Sequence, residues 1–126
     1  MTDYAFYVAL LRFVVRKTEQ GDARIAAMMN ALGTAATAIE STGAFVVTPD
    51  RLELTARAFA GVAGLLQRRI LPEVVAHGNQ AAEAQIRWAV DAAMEAVNLL
   101  LQRAALPGDS GPVRVELPVP PAASLN

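Results

Sequence analysis

The sequence predicts an all-α protein: a four-helix bundle-like single domain followed by a proline-rich, extended C-terminal tail. Hydrophobic residues make up 54% of the 126 residues and aromatic residues only 6%, and alanine and leucine, both strong helix formers, carry much of that content. Apolar side chains recur at spacings of three and four residues, as on one face of a helix. Glycine, proline, asparagine and aspartate stand between these periodic segments, where they end one helix and cap the next.

The first two helices are predicted at about 4–20 and 23–41. Gly21 and Asp22 lie between them, as the stop of one helix and the N-cap of the next. The first helix contains the stretch YAFYVALLRFVV, in which Arg12 is the single interruption of an apolar run. This helix is therefore apolar on every face, whereas an ordinary surface helix has one apolar stripe.

The third helix is predicted at about 49–77, with Thr48 as its N-cap and Pro49 at its first position, where the missing N–H costs nothing. Pro72 lies inside this pattern. A proline in a helix removes one hydrogen bond and crowds the carbonyl four residues earlier. We therefore expect the helix to kink near residue 72, or to stop there and restart.

The fourth helix is predicted at about 80–106, after the joint HGNQ, in which Gly78 suits a helix stop and Asn79 an N-cap. These helices form the predicted domain, residues 1–106. The remaining residues, 107–126, hold five of the chain's 7 prolines and form the predicted extended or disordered tail.

Part of this tail has the alternating pattern of a β-strand, with Arg114 and Glu116 between apolar residues. The strand hypothesis rests on Val113, Val115 and Leu117. A strand of this length is not stable alone. The tail is therefore disordered, lies across the helices, or adds to the edge of a partner's sheet.

The charge and the absence of cysteine limit the classes of function that this protein can have. The 11 basic residues nearly balance the 12 acidic residues, so we expect no nucleic-acid partner. The absence of cysteine excludes disulfides and thiolate chemistry and fits a reducing cytoplasm, which is the expected location. The N-terminal apolar run is shorter than the roughly 20 residues of a transmembrane helix, and Asp3 precedes it, unlike the basic start of a signal peptide.

The sequence contains no recognisable catalytic, metal or cofactor motif. His77 is the sole histidine, and with Glu73 it offers only two potential ligands, so we predict neither a metal nor a cofactor. No serine lies in a nucleophile motif, and Gly61 and Gly64 are not followed by the residues of a phosphate-binding loop. These observations favour a protein that is not an enzyme.

The apolar surplus of the first helix predicts an interface with a second copy or another protein. The residues predicted to form it are Tyr4, Phe6, Tyr7, Leu10, Leu11 and Val14. The alternative is that this helix is the central helix of a compact monomer, covered by the tail and the segment 43–48.

A second candidate surface lies on the third helix, where Arg57, Gly61, Gly64 and Arg68 share one face. Glycines would form the floor of a groove and arginines its rims, which suits an anion or an acidic helix. The alternative is that the arginine stems cover apolar surface while their charged ends stay in water.

The function predicted from these features is a structural or adaptor protein that self-associates or binds a protein partner through its N-terminal helix. One alternative is a small-molecule-binding protein or enzyme with a pocket between helices near Pro72. Another is a peripheral membrane or granule-surface protein that uses the apolar N-terminal helix.

Overall fold

Helices dominate the computed structural model, which describes residues 4–19, 21–106 and 111–121. The elements in chain order are α1 (Ala5–Lys17), α2 (Ala23–Thr42), β1 (Ala44–Val47), α3 (Leu52–Leu65), α4 (Leu71–Ala76), α5 (Gln80–Ala105) and β2 (Val113–Glu116). A 3-10 turn, Pro49–Arg51, leads into α3, and a π-helical segment, Leu66–Ile70, joins α3 to α4. The helical class predicted from the sequence is confirmed, and a small two-stranded sheet is added to it.

Local capping explains where the helices begin and end. The Asp22 carboxylate accepts the Arg24 N–H at the start of α2, and the Asn79 side chain accepts the Ala82 N–H at the start of α5, as the sequence predicted. At the end of α1, the Thr18 hydroxyl donates to the Val14 carbonyl at 2.7 Å and the Thr18 backbone turns to an extended conformation. This turn ends α1 at Lys17, earlier than the predicted end at Gln20, which lies outside the described residues.

The helical path continues through Pro72 by way of the π-helical segment. The Leu71 N–H donates to the Leu66 carbonyl, five residues earlier rather than four. A π turn widens the helix just before the proline, where its ring would otherwise crowd the Arg68 carbonyl. The irregularity expected near residue 72 is therefore a π-helical turn just before Pro72, which contains one residue more than an α-helical turn.

The core lies between the helices and beneath the sheet. α3 packs against α5 most extensively, and α2 packs against both α1 and α3. The largest fully buried side chains are Tyr7, Leu11, Leu32, Ile39, Phe59, Val62, Leu66, Ile86 and Leu100. The Phe45 ring of β1 stacks on the Phe59 ring of α3, with centroids 5.1 Å apart, so the sheet belongs to the same core.

The predicted tail strand pairs with this chain's own residues 44–47. β1 and β2 are antiparallel, with Ala44 opposite Glu116 and Val47 opposite Val113. The three apolar positions of the strand pattern, Val113, Val115 and Leu117, are all buried. Of the alternatives for this segment, the structure has the one in which it lies on the helices. The tail positions 107–110 and 122–126 lie outside the described residues.

Gly43 joins α2 to β1 in the left-handed conformation, with φ of +77°. Its N–H donates to the Ile39 carbonyl at 2.8 Å, and its carbonyl accepts the Leu117 N–H at 3.2 Å. A Cβ at this position would lie 2.9 Å from the Tyr4 ring. Only glycine therefore allows α2 to end, β1 to begin and α1 to approach at the same point.

An aromatic cluster joins α1 to α5. The Tyr7 and Trp88 rings meet edge to face at 5.3 Å, and Tyr4 stacks on Trp88 at 6.3 Å. The Tyr7 hydroxyl and the Trp88 Nε1 are buried and have no hydrogen-bond partner among the described residues. Burial raises the pKa of the Tyr7 hydroxyl, which therefore stays protonated.

We expect Tyr7→Phe to stabilise the protein. The substitution keeps the ring packed against Trp88 and removes a buried hydroxyl that no described residue bonds. The free energy of unfolding should rise by about 1 kcal/mol, measured by urea denaturation. A loss of about 1 kcal/mol or more would mean that the hydroxyl is hydrogen-bonded in solution and would contradict this account.

A second prediction compares two glycines. Gly43→Ala should lower the free energy of unfolding by about 1–2 kcal/mol through the left-handed backbone alone, and by more through the approach of the Tyr4 ring. Gly61→Ala is the matched control, because Gly61 is an exposed helical residue with open space around it. It should raise the free energy of unfolding by about 0.5–1 kcal/mol. Equal effects of the two substitutions would refute the role assigned to Gly43.

Candidate functional site

Half of the predicted interface on α1 is part of this chain's own core. Tyr7 and Leu11 are fully buried and Val14 is 5% exposed. These three side chains are buried within the chain and present little surface to a partner, so the predicted interface depends on the other residues of α1. The three are buried because α1 contacts both α2 and α5, and these two neighbours cover more of it than the sequence pattern indicated.

Three side chains on another face of α1 form a narrow apolar surface. We call this surface the outer stripe, and it consists of Phe6, Leu10 and Phe13. Phe6 is 39% exposed, and Leu10 and Phe13 are partly exposed. The Lys17 ammonium lies 5.9 Å from the Phe13 ring centroid at one end of the stripe. Tyr4, also predicted to be part of the interface, is half-buried between Trp88 and Gly43 instead.

Charged residues flank the outer stripe. Arg12 forms an exposed ion pair with Glu40 of α2 at 3.1 Å, and Arg16 and Lys17 are exposed at the end of α1. An exposed pair of this kind contributes little to stability, about 0–1 kcal/mol. It does mark the boundary between the outer stripe and the side of α1 that packs on α2.

On the glycine face of α3, Arg57, Gly61 and Arg68 are exposed and Gly64 is partly exposed. Gly61 has open space around it, whereas a Cβ at Gly64 would lie 3.2 Å from the Arg68 guanidinium. The Arg68 side chain thus folds back along its own helix over Gly64, which favours the alternative in which the stem covers helix surface. Neither Arg57 nor Arg68 forms an ion pair within the described residues.

A cleft of about 270 Å³ lies between α2 and β1, and the sequence analysis did not predict it. Residues from α2, β1 and the start of α3 line it, and β2 contributes none. The lining residues are Asn30, Ala31, Thr34, Ala35, Ala38, Phe45, Val46, Val47, Thr48, Arg51 and Thr55. Residues from both faces of β1 line the cleft. The cleft therefore runs along the edge of β1 that is not paired with β2.

The chain reversal at Gly43 explains this cleft. α2 rises about 1.5 Å per residue and β1 about 3.3 Å per residue, so Thr34 and Val47 both lie about 13 Å along the chain direction from Gly43. The two elements run side by side in opposite directions, with Ala38 near the closed end and Asn30 near the open end. The α2 wall is built from alanine and threonine, whose small side chains leave the space empty.

The sheet register determines which backbone groups face the cleft. The bond from the Leu117 N–H to the Gly43 carbonyl fixes the alternation of the antiparallel ladder. Phe45 and Val47 therefore direct their N–H and carbonyl groups at β2, and Ala44 and Val46 direct theirs away. The Thr42 Oγ1 accepts the Ala44 N–H at 3.3 Å, and its single hydroxyl proton is shared between the carbonyls of Ala44 at 3.0 Å and Ala38 at 2.9 Å. The corresponding groups of Val46 have no hydrogen-bond partner among the described residues.

Arg51 is the only charged residue that lines the cleft. Its neighbour Asp50 does not line it. A hydrogen bond from the Thr48 side chain is the main reason that the pKa of the Asp50 carboxyl is lowered, and the positive charge of Arg51 contributes less. Asp50 therefore remains ionised beside Arg51 and partly offsets the positive charge that Arg51 brings to the lining of the cleft.

Among the described residues no three histidine, cysteine or acidic side chains come together as a metal site. The His77 Nδ1 lies 2.7 Å from the Glu73 carbonyl and caps the end of α4. No helix in the described part of the chain combines the length and apolar content needed to cross a bilayer.

Comparisons with protein-family models, with curated proteins and with solved structures find no match for this chain.

Proposed function

We propose that this protein is a non-enzymatic helical-bundle adaptor that self-associates through the outer stripe of α1. The observation that carries the proposal is the 39% exposure of Phe6 at the end of a line of apolar side chains. Large aromatic side chains that stay accessible in this way are enriched in protein interfaces.

The spacing of the outer stripe suits a symmetric pair. Phe6, Leu10 and Phe13 follow one another at four and three residues, so they lie in a line along one helix face. Two α1 helices packed antiparallel about a two-fold axis would bring Phe6 of each copy against Phe13 of the other, with the two Leu10 side chains at the centre. Each copy would then cover the apolar line of the other.

The small area of the outer stripe implies weak association. A stable interface buries about 1,200–2,000 Å² in total, and three partly exposed side chains per copy supply only its centre. We therefore expect a concentration-dependent equilibrium between monomer and dimer rather than a permanent dimer.

The two alternative functions have less support. Pro72 is not among the residues that line the cleft between α2 and β1. Binding to a membrane surface has one favourable observation, the exposure of Arg16 and Lys17 beside the outer stripe. Binding to vesicles therefore needs to be measured in addition to self-association.

We expect Phe6→Glu to abolish self-association and leave the fold intact, because the side chain is exposed and its loss changes stability by about 0.5 kcal/mol or less. Leu101→Glu is the matched control, since Leu101 is an apolar residue of α5 with 46% exposure. Light scattering after size-exclusion chromatography should show dimer in the wild type and in Leu101→Glu at high concentration, and monomer in Phe6→Glu.

A wild-type protein that stays monomeric at high concentration would refute self-association. Flotation of the wild type with anionic vesicles, lost in Phe6→Glu, would assign the outer stripe to a membrane surface instead.

A further inference from the structure

We propose that the cleft between α2 and β1 binds an extended peptide as an added β-strand, antiparallel to β1, with an acidic side chain of the peptide at Arg51. This binding uses a different surface from the outer stripe of α1, so either proposal can fail without the other.

Unpaired backbone groups provide the first argument. The Val46 N–H and carbonyl point away from β2 and have no partner among the described residues. A peptide strand laid along β1 would bond both groups, which is how sheet edges capture extended segments. The hydroxyl of Thr42 already occupies the neighbouring groups of Ala44, so the added strand would end there.

The two edges of the sheet differ in a way that favours β1. β2 carries the Arg114–Glu116 ion pair at 3.1 Å, and Pro112 directly precedes that strand, whereas each strand has a proline two residues after its end, Pro118 and Pro49. Charges and prolines of this kind discourage strand addition. β1 has neither charge nor proline within Ala44–Val47, and its Val46 side chain is 56% exposed.

The shape of the cleft suits a narrow chain. It has a volume of about 270 Å³ and lies between residues of α2 on one side and residues of β1 on the other. The α2 wall presents Ala31, Thr34, Ala35 and Ala38 along the direction of β1. Such small side chains let a second extended backbone lie between a helix and a strand.

Charge and direction identify the acidic residue of the peptide. Antiparallel pairing is slightly more stable than parallel pairing, and β1 runs from the closed end at Gly43 toward Arg51. An antiparallel peptide therefore has its N-terminal end beside Arg51 and its C-terminal end toward Gly43. Its free C-terminal carboxylate would lie far from Arg51, so the carboxylate that meets Arg51 belongs to a side chain.

The probe is a tetrapeptide of glutamate followed by valine, alanine and valine, acetylated and amidated at its ends. Titrated into the full chain and followed by nuclear magnetic resonance, it should shift the amides of β1 and slow hydrogen exchange at Val46. Replacing its glutamate by glutamine should weaken binding several-fold, and more so at low salt. A version with a free C-terminal carboxylate should bind as the amidated one does.

Two protein variants test the backbone hydrogen bond of Val46 and the charge of Arg51 separately. Val46→Pro removes the N–H that the peptide needs but that β2 does not use, so binding should weaken about tenfold. Val46→Thr keeps the N–H and is the matched control, with binding unchanged. Arg51→Gln should bind the glutamate and glutamine peptides equally. Circular dichroism checks that each variant is folded, and the comparison of the two peptides on wild-type protein needs no variant.

Several results would overturn this proposal. No change at the Val46 amide with the peptide at millimolar concentration would do so. Equal binding of both peptides to the wild type would remove Arg51 from the site. Protection of the Val46 amide that rises with protein concentration, without peptide, would show that a second copy of β1 occupies the edge.

Discussion

The chain reversal at Gly43 is the constraint on which the rest of the structure depends. Its left-handed backbone ends α2, and its carbonyl accepts the Leu117 N–H and so fixes the register of β2 on β1. The absence of a side chain lets the Tyr4 ring of α1 approach the same point. Residues near both ends of the described chain, Tyr4 and Leu117, thus contact Gly43 in its middle. The same reversal lays β1 alongside α2, and the cleft lies between these two elements where α2 presents alanine and threonine side chains.

The surfaces that remain open follow from this packing. α1 is covered on one side by α2 and by the Tyr7–Trp88 contact with α5, and the outer stripe remains accessible beside the exposed Arg12, Arg16 and Lys17. β2 covers one edge of β1, while the other edge faces α2 across small side chains. The apolar content that the sequence concentrates in α1 therefore goes mainly into the core of a single chain. The proposed self-association therefore has a smaller apolar surface available than the sequence indicated.

Much of the helical organisation could be predicted from the sequence because local chemistry determines it. Asp22 and Asn79 cap the helices they precede, and apolar periodicity marks the faces that are buried. The burial of Tyr7, Leu11 and Val14 within one chain could not be predicted, because periodicity shows that a residue is covered but not by which molecule. The pairing of residues 44–47 with 113–116 was missed for a similar reason. Both segments have extended patterns, but their contact spans most of the chain, and the cleft beside β1 depends on it.

The most direct test of this account is the register of β1 and β2 in solution. In the antiparallel ladder the Val46 and Arg114 pair, like the Ala44 and Glu116 pair, is of the closely spaced type without hydrogen bonds. Nuclear Overhauser effects between the α-protons of each pair should therefore be strong, and the Phe45 amide should exchange slowly while the Val46 amide exchanges fast. Strong effects between α-protons of other residue pairs, or none between the two segments, would contradict the register and with it the origin of the cleft.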